Sequence, residues 1–266
     1  MARFIKKGEY FAYLAIKYEE KRYICSMKEL VKATSTKRNP TNAVGSAKRV
    51  GMVISVGKGQ PLGKLSDKDW GELADAVSDV LTKAGVPKDK IRIHAHVDGL
   101  EGSSLFDFLD INAPDISITR SFIQDDDTLI AYHALFKVGD DFQGKGIAKG
   151  IIKALIPAYR KMGVDMIEVN ANMDVGGYTW ARFGFKAVYW QATIIPSQIK
   201  NKSLRQKAKA IITDFYNTHP RSEGFPVNLI ASQPWGKKAL LGSDWGGYID
   251  LHDKKQVEDM LRYASS

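Results

Sequence analysis

The sequence predicts a mixed α/β fold, a mainly antiparallel sheet flanked by helices, and three patterns carry that expectation. Two strand-like runs, residues 116–123 and Thr128–Val138, are separated by Gln124-Asp125-Asp126-Asp127, a polar stretch suited to a hairpin turn. A glutamine- and glycine-rich turn follows and opens into an amphipathic segment, residues 145–162. Its Ile147, Ile151, Ile152, Leu155 and Ile156 gather on one side. Strand and helix patterns then alternate from residue 50 to residue 194.

The elements are justified in order as follows. Residues 50–56 are a short apolar run of the kind that forms a buried strand. Residues 66–85 read as a helix. Ser66 is placed to cap it, Asp67 and Asp69 favour its first turn, and Gly85 stops it. Trp70, Leu73, Ala74, Val77 and Leu81 make its apolar stripe. Residues 91–97 alternate Ile91, Ile93, Ala95 and Val97 with Arg92, His94 and His96, the pattern of a half-buried strand. Beyond residue 162 we expect a strand over Met166–Ala171, a short helix over 178–183 and a strand over 185–194. A helix over 197–217 follows, then a loop-rich stretch with Pro220, Pro226, Pro234, Trp235 and Trp245, and a last helix over 254–263. There is no internal repeat.

The chain has 266 residues and 44% hydrophobic content, enough for one large core or two small ones. Its charge is unevenly placed. Residues 1–60 hold 13 Lys/Arg and 4 Asp/Glu, so the whole net charge of +9 falls in that part. Residues 33–48 are rich in Ser, Thr, Asn, Gly and basic side chains and read as a loop. Three parts are expected: a basic N-terminal extension (1–49), a sheet domain (50–194), and a C-terminal extension packed on the core (195–266). No apolar run is long enough to span a membrane, and the first residues lack the pattern of a signal peptide. The lone Cys25 excludes an internal disulfide and fits a reducing compartment. A protein of the cytoplasm or of a virion, without a membrane partner, is the expectation.

The segment Val138-Gly139-Asp140-Asp141-Phe142-Gln143-Gly144-Lys145-Gly146-Ile147-Ala148 contains the spacing Gln-x-x-Gly-x-Ala. Glycines let a backbone approach a ligand closely, and the amides of a helix's first turn point at an anion. With the preceding strand and the later Gly184-Phe185 terminus, this segment resembles the GNAT superfamily, the acetyl-CoA-dependent N-acetyltransferases. The resemblance covers roughly residues 50–194. It implies a GNAT-like sheet with acetyl-CoA as cofactor. The pantetheine arm would pair with backbone near Phe136 and Val138. The pyrophosphate would lie on the turn formed by Gln143, Gly144, Lys145, Gly146, Ile147 and Ala148. Residues 174–185, with Leu240-Leu241-Gly242-Ser243-Asp244-Trp245, also look like GNAT-like domains of uncharacterised bacteriophage proteins, some joined to virion components.

Transfer of an acyl group to an amine needs a base, a polarised carbonyl and a stabilised leaving thiolate. The resemblance places a carboxylate or histidine on the strand before the turn. Period-two counting back from Val138 turns Tyr132 and Ala134 inward, and His133 outward unless a bulge re-aims it. The family's usual tyrosine position holds Trp180, so Tyr178 is the candidate acid. Glu168 is the best-placed carboxylate, with Asn170 and Asn172 beside it. The candidate catalytic residues are therefore Glu168, Tyr178 and His133. The acceptor amine, on a protein or a small molecule, is left open. A non-catalytic GNAT-like binding or structural protein is the alternative. Lys37, Arg38, Lys48 and Arg49 could neutralise phosphates, so nucleic acid or virion proteins are the partners expected of the basic N-terminus. His94 and His96 share a strand face but lack a third ligand, so no metal site is expected. Cys25, flanked by Lys21, Arg22 and Lys28, has no histidine near it in sequence and reads as a bystander.

Overall fold

Apolar alternation and the hairpin turn build a nine-stranded sheet ordered β1-β2-β3-β4-β5-β6-β9-β7-β8 in the computed structural model, which describes residues 52–56, 67–98, 106–125 and 127–266. The basic extension, the 33–48 loop, Cys25 and the four cations named above lie outside the described residues. Strand β1 (Met52–Val56) runs parallel to β2 (Arg92–Asp98), with helix α1 (Asp67–Lys83) between them in sequence. Strands β2, β3 (Phe106–Ala113), β4 (Ile116–Asp125) and β5 (Thr128–Val138) then pair antiparallel in turn. Helix α2 (Ile147–Met162) carries the chain to β6 (Met166–Ala171), which lies parallel to β5. The result is mixed α/β with a mostly antiparallel sheet flanked by helices.

The C-terminal part does not stay outside this sheet. Strand β9 (Trp245–Asp250) pairs antiparallel with β6 along its whole length. Two short strands, β7 (Lys186–Ala187) and β8 (Phe225–Pro226), complete the order beyond β9. The buried Gln256 stitches these pieces together. Its Nε2 donates to the carbonyls of Gly184 and Tyr248, each at 3.1 Å, and its Oε1 accepts from the Asp250 amide at 3.1 Å. Gln256 belongs to the last helix, α8 (Lys254–Ser265), which packs on α2.

Five further helices follow from local chemistry. Helix α3 (Met173–Arg182) begins earlier than the sequence predicts. The strand expected over 185–194 is confined to β7, because Val188 leads into helix α4 (Tyr189–Gln198). A short apolar run does not by itself distinguish a strand from a buried helix, and here Ala192 and Ile195 bury as one helical face. The single helix expected over 197–217 is two. Helix α4 ends at Gln198 with Pro196 in its last turn, and the Asn201 side chain caps α5 (Lys202–Thr218) by accepting from the Leu204 amide at 3.0 Å. The short helices α6 (Asn228–Ala231) and α7 (Gly236–Leu240) support α3. The contact is close: a Cβ on Gly177 of α3 would lie 2.7 Å from the Leu240 carbonyl.

Helices α1 and α2 share one core. Leu73, Ala74, Val77 and Leu81 of α1 are buried, as the predicted stripe requires, and so are Ile147, Ile151, Ile152, Leu155 and Ile156 of α2. Gly150 permits the close crossing, since a Cβ there would stand 2.6 Å from Val80 Cγ1. At the surface Lys161 of α2 pairs with Asp69 of α1 and, at 3.4 Å, with Glu72.

Candidate functional site

The feature that organises the middle of the sheet is a bulge in β5. Thr119 pairs with Leu135 and Ser121 with Tyr132, so Arg120 alone stands opposite two β5 residues, His133 and Ala134. The extra residue reverses the alternation. His133 now shares a side with Phe136, since both rings reach Trp180, at centroid separations of 5.6 and 5.9 Å. Period-two counting from Val138 had turned His133 the other way, and the bulge is the physical reason for the difference.

Arg120 holds the bulge in place. Its side chain is fully buried, and Nη1 donates to the Thr119 carbonyl at 2.9 Å and the Leu135 carbonyl at 2.8 Å. The guanidinium lies 5.2 Å from the Phe136 ring centroid. Burial lowers its pKa to about 10, so it stays protonated at neutral pH. Next to it, Tyr159 of α2 shares a hydrogen bond of 2.9 Å with His133 Nε2. Burial pushes the Tyr159 phenol up to about 12. Burial, with the Arg120 charge second, holds the His133 imidazole well below its usual range, so it is neutral. His133 is thus part of a sealed aromatic wall made with Tyr159, Trp180 and Phe136. The wall extends through Phe183 and Phe185, which also pack on Trp180.

Beyond the bulge β5 and β6 part. Their ladder runs from Ile130↔Met166 to His133↔Val169 and stops there, while β5 continues for another five residues to Val138. The β6-side edge of residues 134–138, including Phe136 and Val138, is therefore outside that ladder. Gln143 reaches back to it, with Nε2 3.3 Å from the Val138 carbonyl and 2.9 Å from Asp140 Oδ1.

The turn at the end of this edge is shaped by two glycines. Gly144 and Gly146 have φ of 75° and 76°, the left-handed region that other residues adopt only with strain. Gly146 is the N-cap of α2 and makes no side-chain cap. The Gly150 amide bonds to the Gly146 carbonyl at 2.9 Å, which leaves the first-turn amides of Ile147, Ala148 and Lys149 without a backbone bond among the described residues. Exposed Lys145 lies 4.8 Å from the Phe142 ring centroid, beside those amides.

On the other sheet face a cross-strand row crosses the same point. Tyr132 of β5 pairs with Glu168 of β6, and Glu168 pairs with Tyr248 of β9. All three are half-buried, as is Asn170. Burial, then the Asp250 charge, raises the Tyr248 phenol to about 12. Glu168 therefore sits one pair before the strands part, on the face opposite His133. Tyr178 is half-buried on α3, and its hydroxyl accepts from Arg182 Nη1 at 3.0 Å. Asn172 is the N-cap residue of α3, without a side-chain cap. The bulge brings His133, Phe136 and Trp180 together, whereas Glu168 and Tyr132 line the opposite side. Arg120 was missed by sequence reasoning. A lone arginine in an apolar strand was its only signal.

His94 and His96 lie on β2, and only their backbone is described. Among the described residues no group of three or more His, Cys, Asp or Glu is arranged to hold a metal, and no helix is long and apolar enough to cross a membrane. No protein-family model matches this chain, and no curated protein matches it.

Proposed function

We propose that the chain is an acetyl-CoA-dependent N-acyltransferase of GNAT type. The observation that carries this reading is the parting of β5 from β6 after His133↔Val169, beside an uncapped helix N-terminus. An edge that continues past the end of its ladder suits an extended amide chain such as pantetheine, which pairs as a strand does. The amides of Ile147 and Ala148, on a turn opened by Gly144 and Gly146, suit a pyrophosphate. Lys145 adds a charge-assisted contact to a phosphate. The residues present thus fit the cofactor by hydrogen-bond chemistry.

When bound, the cofactor supplies an activated acyl thioester. Glu168 stands at the parting of the strands on the half-open face, where it can take a proton from an incoming amine. Tyr178 is the donor for the departing thiolate, with Arg182 on its hydroxyl. His133, neutral and bonded to Tyr159, orients the wall rather than acting as the base. Trp180 is buried in that wall and has no acidic proton to offer, which is the observation favouring the second reading, a GNAT-like protein that binds without turnover. A place in the cytoplasm or a virion fits either reading.

Calorimetric titration with acetyl-CoA tests the proposal. Wild type should bind one equivalent. Gly146→Glu places a carboxylate at the phosphate position and should abolish binding. Gly146→Ala carries the strain of a positive φ without the charge and should bind more weakly than wild type but measurably. Equal affinity of wild type and a folded Gly146→Glu variant would remove the cofactor assignment. Thiol release with a panel of amines then separates the two readings: binding without release favours the silent one.

A further inference from the structure

Outside residues 1–60 the charges balance in number but not in place. From Val175 to Thr213 there is no Asp or Glu, while Arg182, Lys186, Lys200, Lys202, Arg205, Lys207 and Lys209 all fall within that stretch. Most of these cations belong to or adjoin α5. Lys202, Arg205 and Lys209 are spaced three and four apart, so they form one stripe about 10 Å long. The buried Ala208 and Ile212 anchor the neighbouring face of the helix, and the three members of the stripe are exposed. Helix α7, which packs on α5, adds the exposed Lys237 and Lys238.

This arrangement runs against the electrostatics of the helix itself. The first turn of α5 holds cations and no acid, where the helix dipole favours negative charge. Like charges three and four apart also repel. Among the described residues none of Lys200, Lys202, Arg205, Lys209, Lys237 and Lys238 is in an ion pair, although Arg205 Nε donates to the Ile199 carbonyl at 3.0 Å. The α2 and α8 lysines Lys161 and Lys255, by contrast, are each matched to carboxylates. A polyanionic partner accounts for cations that folding alone disfavours.

We infer that the exposed face of α5, with the α7 lysines, docks on the phosphate backbone of a nucleic acid. The exposed uncharged positions beside the cations are Ser203, Gln206, Ala210 and Thr213, without the large apolar side chains with which a helix lies in a membrane. A stripe of this length spans neighbouring phosphates, whose charge density exceeds that of an acidic peptide. This stretch is distinct in sequence from the basic N-terminal residues, and the inference does not depend on the acyltransferase reading.

The test is fluorescence anisotropy of a labelled DNA duplex of arbitrary sequence with the full-length chain, across a series of salt concentrations. The triple variant Lys202→Gln, Lys209→Gln, Lys237→Gln keeps the Arg205 bond and should melt as wild type does. It should lower the slope of log affinity against log salt by about 3, because each lost phosphate contact removes roughly 0.9. A parallel variant, Lys37→Gln, Arg38→Gln, Lys48→Gln, Arg49→Gln, reports any contribution of the N-terminal part separately. The inference is overturned if the α5 variant keeps the wild-type slope and affinity, or if wild type does not bind at low salt. It is also overturned if an oligoglutamate peptide of equal charge competes as well as the duplex itself.

Discussion

The two faces of the sheet where β5 meets β6 carry very different groups. On the α2 side Arg120, His133, Tyr159 and Trp180 are all buried and hold one another, and Phe136 closes the cluster. On the other side Tyr132, Glu168, Asn170 and Tyr248 are half-buried along a cross-strand row. Both faces have titratable groups, buried on the α2 side and half-buried on the other. A perturbed pKa is thus a poor guide here. Strong shifts occur on both sides, at His133 and Tyr159 on the closed face and at Tyr248 on the other, and burial is the leading cause of each.

The largest expected effects belong to Glu168, on the half-open face, and to Tyr178 of α3. In an active protein Glu168→Gln should lower kcat and kcat/KM together by roughly 100- to 10,000-fold, with acetyl-CoA affinity nearly unchanged. Tyr178→Phe should act in the same direction. Thiol release measures both. An unimpaired Glu168→Gln variant would place the chemistry elsewhere and break the contrast between the faces.

Next comes the closed face, where the effect should be on stability. Arg120→Ala removes the donor from the Thr119 and Leu135 carbonyls and leaves a cavity under Phe136. The cost should be about 3 kcal/mol in urea unfolding. A loss well below that would mean the bulge persists without its arginine.

A smaller, pH-dependent effect follows from His133. Its folded pKa lies below the unfolded value, so the unfolded chain takes up a proton first as pH falls. Stability from this group is complete above the ordinary histidine range near 6.5 and declines below it. The slope approaches about 1.4 kcal/mol per pH unit until the folded pKa is reached. His133→Gln should flatten that part of the curve between pH 7 and pH 5. An unchanged slope would show that His133 titrates alike in the folded and unfolded chains.

The legibility of the sequence divides along related lines. Thr128–Val138 and Met166–Ala171 emerge with the expected bounds, because alternation and flanking turns are local signals. Helix α2 was equally plain from its apolar stripe and its glycine at each end. The bulge was not, since counting by twos assumes that no residue is inserted, and insertion is fixed by the partner strand. Strand β3 escaped notice as well. Strand β9 was hidden for a different reason: Trp245-Gly246-Gly247-Tyr248 has little strand propensity, and it becomes a strand by docking between β6 and β7. Gly247 is needed there, because a Cβ would lie 2.4 Å from Trp245 Cζ3. The candidate cofactor turn was readable from Gly144 and Gly146. The buried partners of Arg120 were not, because Thr119, Leu135, Phe136 and Tyr159 converge only in three dimensions.

The central claim is that the β5 edge beyond His133 is where an extended amide ligand pairs. Amide hydrogen exchange of the full-length protein with and without saturating acetyl-CoA tests it most directly. Exchange should slow at the amides of residues 134–138 and at Ile147 and Ala148. The amides of Ile130 and Ala131, already within the β6 ladder, should change little. Protection confined to other segments, or none at these residues once binding is saturated, would contradict the account.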